Sequence, residues 1–350
     1  MGINVCVRDR SRSNNLKMKG IDQPILELYN RLYNNHVSDD CPCVQHTIPT
    51  AFTLDRRSKR PIGYTIFEMT NIPQKWVKPC NEMSEIWTGS EYSKSFESSG
   101  VKVPIHILNH AIDVNLFANA EPWKIKNKRA FNFISVMDYT SRKNPWDLLR
   151  AFWTTFDDKD DVCLILKVFF GDFSDNSRAD IIRRICNYRK SLKLQNRAPV
   201  LIYGYDINGN DLPGLYKVAD AYVGISREGF GLTMAESMAA GLACIGPEVG
   251  GNREFMTPEN SFLVKYLGDE PIAKEAVALD PDFEGLMWAK YSWEHLAEQM
   301  KIVVNNEKLR KEVALKGQEF VKKNLTYTAV GNRILELLGE WHENSLYSSR

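Results

Sequence analysis

The chain has 350 residues, of which 43% are hydrophobic and 25% charged, a composition that excludes a disordered or fibrous protein and suits two globular domains. Its formal net charge of +1 gives no electrostatic reason to expect nucleic acid as a partner. No apolar run reaches the roughly 18 residues of a membrane span and no apolar signal region follows Met1, so we expect a cytoplasmic protein.

The first part of the chain predicts a small α/β lobe, which we assign to residues 1–120. A short apolar run at 3–7 predicts a buried strand, and apolar residues within 23–33 recur at helical spacing. Further elements are predicted as strands at 62–67, 85–88 and 105–108 and a helix at 90–99. The polar segment 117–129, interrupted by Pro122, is typical of a linker between domains.

Residues 130–325 alternate regularly between predicted strands and predicted helices, which indicates a doubly wound parallel sheet. The strands are predicted at 131–137, 162–169, 199–203, 221–225 and 242–245, and the helices at 145–156, 179–192, 212–218 and 232–240. Helical patterns follow at 293–304, 307–323 and 329–341.

The segment 226–241 (Ser-Arg-Glu-Gly-Phe-Gly-Leu-Thr-Met-Ala-Glu-Ser-Met-Ala-Ala-Gly) follows a predicted strand and opens a predicted helix. Its glycines allow a ligand to approach the backbone at the strand end where open α/β sheets bind ligands. On a helical wheel, Glu236 falls on the same buried stripe as Leu232 and Ala235. A buried carboxylate needs a partner, which is either a pair of sugar or ribose hydroxyls or a salt bridge to Arg253.

The segment 141–147 predicts a helix that begins directly after two cations. Asn144 is a suitable N-cap, and Pro145 is a suitable first helical residue. Arg142 and Lys143 then face the positive end of the helix dipole, which is unfavourable unless an anion such as a diphosphate lies between them. The alternative is that both cations are solvated side chains of a surface loop.

Taken together, these segments resemble the donor-site signature of retaining glycosyltransferases of family 4. In that signature two glutamates separated by seven residues bracket a Gly-Phe-Gly turn; here they are Glu228 and Glu236, followed by a loop with Gly250 and Gly251. The resemblance implies an α/β protein of the GT-B type, in which two Rossmann-like, doubly wound domains face each other across a cleft. It also implies that residues 326–350 form a helix that crosses back to the first domain.

The resemblance further implies roles for individual residues. Glu228 is expected to bind hydroxyls of the transferred sugar, Glu236 the nucleotide ribose, and Lys143 the leaving diphosphate. Similar enzymes often carry an arginine six residues before this lysine, where the present chain has Met137. The implied catalytic residues are Glu228, Lys143 and His46, and the implied donor-binding residues are Arg142, Gly229, Phe230, Gly231, Leu232, Glu236 and Ser90.

The implied activity is the transfer of a hexose from a nucleoside-diphosphate sugar to a glycan, a lipid-linked acceptor or another hydroxyl acceptor, with retention of anomeric configuration. No cofactor and no metal ion are expected. The Asp-x-Asp spacing within 157–161 lies between a helix and a strand, opposite the predicted crevice, and is interpreted as a solvated turn. Two alternatives remain open: a degenerate GT-B protein that binds a nucleotide sugar without turnover, and a GT-B-fold epimerase.

Basic residues crowd the segment where similar enzymes carry a glycine-rich first loop: Arg8, Arg10, Arg12, Lys17 and Lys19. We interpret this segment as a solvated loop, with a surface for anionic substrate or lipid headgroups as the alternative, which would add a peripheral membrane contact. The seven cysteines are scattered and odd in number, which favours a reduced cytosolic protein, and Cys41 and Cys43 lack the usual zinc spacing.

Overall fold

The structure, a computed structural model, describes residues 4–8, 23–38, 40–54 and 58–347. Arg10, Arg12, Lys17 and Lys19 of the basic segment lie outside the described residues. In chain order the first lobe comprises α1 (Gln23–Tyr33), β1 (Pro42–His46), β2 (Arg60–Tyr64), α2 (Gln74–Asn81), β3 (Glu85–Thr88), α3 (Ser95–Ser98) and β4 (Ile105–Ile107). The next helix, α4 (Val114–Ala118), is buried in a core cluster of the second lobe.

The sheet of the first lobe is parallel, with the strand order β1-β2-β3-β4 in the described residues. The predicted strand at 3–7 is wrong over its described part, because residues 4–7 form no strand. Instead, the Val7 backbone N–H donates to the Leu32 carbonyl at the end of α1. The first strand of the sheet is β1, which sequence periodicity did not reveal because its one buried residue is the polar Gln45 and two of its five residues are exposed.

Helix α1 has the predicted bounds, but its apolar side chains do not enter a core. None of its residues is buried, and Ile25 and Leu28 are 58% and 44% exposed. No helix in the described part of the chain combines the length and apolar character that crossing a membrane requires. The peripheral membrane contact stays a prediction.

The second lobe contains the larger sheet, all of whose pairings are parallel, in the order β10-β9-β8-β5-β6-β7. Its elements are β5 (Phe131–Asp138), α5 (Pro145–Thr155), β6 (Val162–Phe169), α6 (Asp175–Ser191), β7 (Val200–Tyr203), α7 (Leu212–Tyr216), β8 (Ala221–Val223), α8 (Leu232–Ala239), β9 (Ala243–Pro247) and β10 (Phe262–Val264). The strand order reverses between β5 and β8, which opens a crevice at the carboxyl ends of these two strands. The predicted doubly wound α/β fold is confirmed.

An antiparallel hairpin that the sequence analysis did not predict follows β10. It comprises β11 (Tyr266–Pro271), α9 (Lys274–Leu279) and β12 (Met287–Tyr291), and we call residues 266–291 the arm. Ile272 and Trp288 of the arm are buried in one apolar cluster with Phe67 and Trp76 of the first lobe. The arm therefore joins the second lobe to the first.

The chain ends with α10 (Trp293–Asn305), α11 (Glu307–Asn324) and α12 (Tyr327–Tyr347). Helix α12 packs on the first lobe, where Leu337 is buried in one cluster with Ile62 and Trp87. The buried guanidinium of Arg60 in β2 donates to the Leu337 carbonyl at 2.9 Å. The two lobes are thus connected by the arm on one side and by α12 on another.

Candidate donor site

Two loops meet at the carboxyl ends of β5 and β8, where the strand order reverses. The first is the 3₁₀ turn Ser141–Lys143 and the second contains Arg227 and Glu228. The Arg227 N–H donates to the Arg142 carbonyl at 3.0 Å, and the Arg142 guanidinium donates to the Arg227 carbonyl at 2.8 Å. These reciprocal hydrogen bonds hold the predicted cations beside the predicted glutamate.

The buried carboxylate of Glu228 lies between two cations. It accepts a hydrogen bond from Arg142 Nη1 at 2.9 Å and forms an ion pair with the Lys143 ammonium group. Burial opposes ionisation of Glu228, but the nearby positive charges of Lys143 and Arg142 outweigh it and hold the pKa of the carboxyl below its ordinary value. Glu228 is therefore an ionised hydrogen-bond acceptor at neutral pH.

A second carboxylate reaches this cluster from the first lobe. Glu68 Oε1 lies 3.3 Å from Arg142 Nη1, the same nitrogen that contacts Glu228. Burial raises the pKa of Glu68, while Arg142 opposes this shift. The sequence analysis did not single out Glu68; its position four residues after β2, on the carboxyl side of that strand, is the signal that could have placed it near the cleft.

The Gly-Phe-Gly turn packs directly against the first lobe. A Cβ atom on Gly229 would lie 2.1 Å from Ile66 Cγ2 and 2.8 Å from the Phe67 carbonyl oxygen, so a larger residue there would push the lobes apart. Gly231 has a φ of +101°, which lets the chain turn into the first residue of α8. The turn therefore requires glycine at 229 because of the opposite lobe and at 231 because of its own backbone.

Glu236, on α8, is partly buried and accepts a hydrogen bond from the Tyr216 hydroxyl at 2.9 Å. Burial raises the pKa of Glu236 to about 7, against the opposing effect of the Tyr216 hydrogen bond. Arg253 donates instead to the Met256 carbonyl, so the alternative salt bridge from Arg253 is not formed. Leu232 is 43% exposed rather than part of a buried stripe, because it begins the helix at the surface.

The start of α5 differs in detail from the predicted cap. The helix begins at Pro145 as expected, but Asn144 adopts a left-handed φ of 52° and its side chain makes no capping hydrogen bond. Its amide donates to the Asp147 carboxylate at 3.1 Å instead. Met137, in the place of the arginine found in similar enzymes, is buried in the core of the second lobe.

Two histidines of the first lobe lie beside the turn. His46 packs on the Tyr64 ring at a centroid distance of 4.6 Å, and its centroid lies 6.2 Å from that of His110. His110 makes an edge-on contact with Phe230, with the centroids 5.2 Å apart. Burial, together with the positive charge that His46 can carry, lowers the pKa of His110 to about 4, so this imidazole is neutral at physiological pH.

His110 is a residue that the sequence analysis did not single out. A lone histidine in a polar loop carries no signal of its own, and only the tertiary contact with Phe230 reveals its position. His46, by contrast, has an exposed side chain at the end of β1, and its catalytic role stays a prediction.

Ser90 occupies the boundary between the lobes rather than an open surface. Its side chain is fully buried, and its hydroxyl donates to the Gly229 carbonyl at 2.6 Å. Nearby, the Glu91 N–H donates to the Glu254 carboxylate at 2.7 Å, which adds a second cross-lobe hydrogen bond. Ser90 therefore acts here on the backbone of the glycine turn, and its contact with the donor stays a prediction.

The acidic segment 157–161 lies at the end of the sheet opposite the donor site, directly before β6. Its backbone amides are bound by its own side chains: the Asp157 N–H donates to Asp160 and the Lys159 N–H to Asp157. Among the described residues, no three His, Cys, Asp or Glu side chains are grouped as metal ligands. Metal-independent activity stays a prediction.

Residues 128–279 match the family model described as glycosyl transferases group 1. No curated protein matches the chain by sequence. Among solved structures, the chain is similar to Anabaena HepE in complex with UDP and glucose, with a TM-score of 0.60 and 16% identity over 81% of this chain and 73% of that one.

Two synthases are similar at the same level of fold. The sucrose-phosphate synthase of Thermosynechococcus elongatus gives a TM-score of 0.58 and 15% identity over 83% of this chain and 68% of its own. A UDP-forming trehalose-phosphate synthase from Burkholderia vietnamiensis gives a TM-score of 0.65 and 10% identity over 92% of this chain and 77% of its own. The chain therefore has the GT-B fold, and its segment 128–279 matches the family of glycosyl transferases group 1.

Proposed function

We propose that this protein transfers a hexose from a nucleoside-diphosphate sugar to a hydroxyl acceptor, a glycan or a lipid-linked sugar, with retention of configuration and without a metal ion. The observation that carries the proposal is the contact of Glu228 with both Lys143 and Arg142 at the strand-order reversal of the second lobe. A nucleotide-sugar donor is supported by the match of this lobe to glycosyl transferases group 1 and by the similarity of the chain to HepE, which binds UDP and glucose.

The cations would serve the leaving group. When the bond between the anomeric carbon and the diphosphate oxygen breaks, the electron pair leaves with the diphosphate, and the Lys143 ammonium and Arg142 guanidinium offset the charge that develops there. The acceptor oxygen forms the new bond to the anomeric carbon on the same face, and its proton passes to the departing phosphate oxygen. No step needs a protein nucleophile.

The carboxylates would bind hydroxyl groups. Glu228 is held ionised by its two cations, which makes it a strong acceptor for hydroxyls of the transferred sugar. Glu236 has only the Tyr216 hydroxyl as a hydrogen-bond partner among the described side chains, and it is partly exposed on α8, which leaves acceptor capacity for the ribose. The backbone of the glycine turn would face the phosphates or sugar at the first residues of α8.

The test is nucleotide release from a panel of UDP-, GDP- and ADP-sugars, with and without EDTA. We expect one donor to be consumed, EDTA to have no effect, and Glu228→Ala and Lys143→Ala each to lower kcat/KM by roughly 100-fold or more. Glu312→Ala and Lys316→Ala are matched controls, because these residues form an exposed ion pair on α11, away from the site. Both controls are expected to retain wild-type activity.

Other results would select the alternatives. Binding of a donor without release of nucleotide would identify a degenerate GT-B protein, for which Met137 in the core is the supporting observation. Conversion of the donor to its epimer in the absence of any acceptor, followed by NMR of the sugar, would identify an epimerase. Loss of activity in EDTA, restored by a divalent cation, would contradict the metal-free mechanism.

A further inference from the structure

Arg227 is a buried cation that the proposed reaction does not use. It precedes Glu228 in the chain, and only 4% of its surface is exposed. Its guanidinium donates to three different segments: to the Ser141 carbonyl at 3.0 Å, to the Ala289 carbonyl at 2.8 Å and to the Glu270 carboxylate at 2.7 Å. A buried cation is costly unless it is paired and hydrogen-bonded, and this one has a partner at each nitrogen.

The three partners lie on two different parts of the molecule. Ser141 begins the turn that carries the donor-site cations, whereas Ala289 and Glu270 belong to the arm. The arm also supplies the Trp288 ring, whose centroid lies 4.4 Å from the Arg227 guanidinium carbon. Arg227 therefore connects the cationic turn to the arm through one planar group.

The arm is in turn fixed to the first lobe. The Thr70 N–H donates to the Met287 carbonyl at 3.0 Å, and the Trp288 side chain is buried with Phe67 and Trp76. Phe67 neighbours Glu68 in the chain, so the part of the first lobe that contacts the arm is also the part that reaches Arg142. A continuous set of contacts runs from the first lobe through the arm and Arg227 to the donor-site cations.

We propose that Arg227 is the positioning residue of the donor site: it holds the turn Ser141–Lys143 against Glu228 and couples that geometry to the first lobe through the arm. The inference rests on the proposed function, because it assumes that Lys143 and Arg142 bind the diphosphate. Arg227 itself touches neither donor nor acceptor. It determines the positions of the Lys143 and Arg142 side chains before the donor binds.

The fork of the guanidinium explains why arginine is needed. Five N–H donors in a plane reach the two carbonyls and the carboxylate at once, and the flat face stacks on Trp288. In Arg227→Lys, the ammonium group is a single point charge and reaches only some of these three acceptors. The turn would then lose its hydrogen bond at Ser141, or the arm would lose its hydrogen bond at Ala289. We therefore expect Arg227→Lys to retain only part of the wild-type nucleotide affinity.

The experiment compares Arg227→Met and Arg227→Lys with a control, Arg60→Met. Arg60 is also a buried arginine, but it lies on β2, where the substitution breaks its ion pair with Glu85. For each variant we would measure the melting temperature, the affinity for the nucleoside diphosphate of the accepted donor by calorimetry, and kcat and KM of nucleotide release. All three are expected to melt lower. Only Arg227→Met is expected to weaken nucleotide affinity roughly tenfold or more, with Arg227→Lys in between.

A double variant separates positioning from general destabilisation. In the wild-type background, Lys143→Ala removes a cation that is held in place. In Arg227→Met that cation is already misplaced, so adding Lys143→Ala is expected to reduce nucleotide affinity much less. Trp288→Leu, which removes the stacking ring and leaves the turn unchanged, keeps the test informative if Arg227→Met does not fold, and it is expected to weaken nucleotide affinity less than Arg227→Met.

The inference is overturned if folded Arg227→Met or Trp288→Leu binds the nucleotide with an affinity within twofold of wild type. It is also overturned if Lys143→Ala reduces nucleotide affinity equally in the wild-type and Arg227→Met backgrounds. A wild type that binds no nucleotide and consumes no donor would overturn the proposed function and the inference together. Binding by wild type with unchanged binding by the Arg227 variants would overturn the inference alone.

Discussion

Replacing Glu236 with glutamine should stabilise the folded protein at alkaline pH while impairing nucleotide binding. The pKa of Glu236 is about 7 in the folded protein, raised by burial from an ordinary value of 4.5. Between these two pH values the folded state keeps a proton that the unfolded state has released. Wild-type stability therefore falls as the pH rises through this window, and a neutral glutamine removes that loss.

The size of the effect follows from the two pKa values. Each pH unit between them is worth about 1.4 kcal/mol, so the cost of ionising Glu236 approaches about 3 kcal/mol above pH 7. Glutamine has the same shape, and its side-chain oxygen can accept the hydrogen bond that Tyr216 donates to Glu236 at 2.9 Å. The variant should then gain most of this amount at pH 8 and little at pH 5.

Thermal and urea unfolding of wild type and Glu236→Gln at pH 5 and pH 8 measure the difference, with Glu312→Gln on the exposed face of α11 as the control. In parallel, calorimetry at pH 8 should show weaker nucleotide binding by Glu236→Gln, because ribose hydroxyls would lose their carboxylate acceptor. A stability difference that does not change between the two pH values would refute the argument from burial. Unchanged nucleotide affinity would remove Glu236 from the donor site.

Two further predictions concern the cleft. Gly229→Ala is expected to lower both the melting temperature and the rate of nucleotide release, because the added Cβ would collide with Ile66 and the Phe67 carbonyl. Gly209→Ala is the control and should change neither, because its Cβ would meet no atom within 4 Å. Equal behaviour of the two variants would contradict the observed lobe contact. Met137→Arg is expected to destabilise the protein by several kcal/mol, measured by urea unfolding, rather than restore a phosphate ligand, because this side chain points into the core of the second lobe.

The second lobe was largely predictable from local patterns. The strand at 162–169 has the predicted bounds, and α5, α8 and α11 differ from prediction by one residue at one end. Buried parallel strands are short apolar runs, and the helices between them begin and end at residues with strong positional preferences. The candidate donor motif could be recognised for the same reason, since its glycines and glutamates lie within nine consecutive residues, 228–236.

The first lobe and the arm were less predictable. The strand β1 buries only the polar Gln45, so it lacks an apolar pattern, whereas residues 3–7 are mostly apolar, yet residues 4–7 form no strand. In the arm, β11 alternates between half-buried and exposed residues, and its partner β12 is separated from it by α9 and a further turn. Pairing at that distance depends on which surface the hairpin covers, and the surface is supplied by Ile72 and Trp76 of the other lobe.

The sequence by itself determined the candidate site residues of the second lobe: Glu228, Glu236, Lys143 and the glycine turn are close in the chain or follow strands of one sheet. Only the tertiary structure decided their partners. Glu68 and His110 come from the first lobe, and Arg227 acquires its role from an arm some 40 to 60 residues further along the chain. Spacing in a sequence encodes local geometry, whereas a charge pair or ring contact across a cleft depends on how two separately folded surfaces meet.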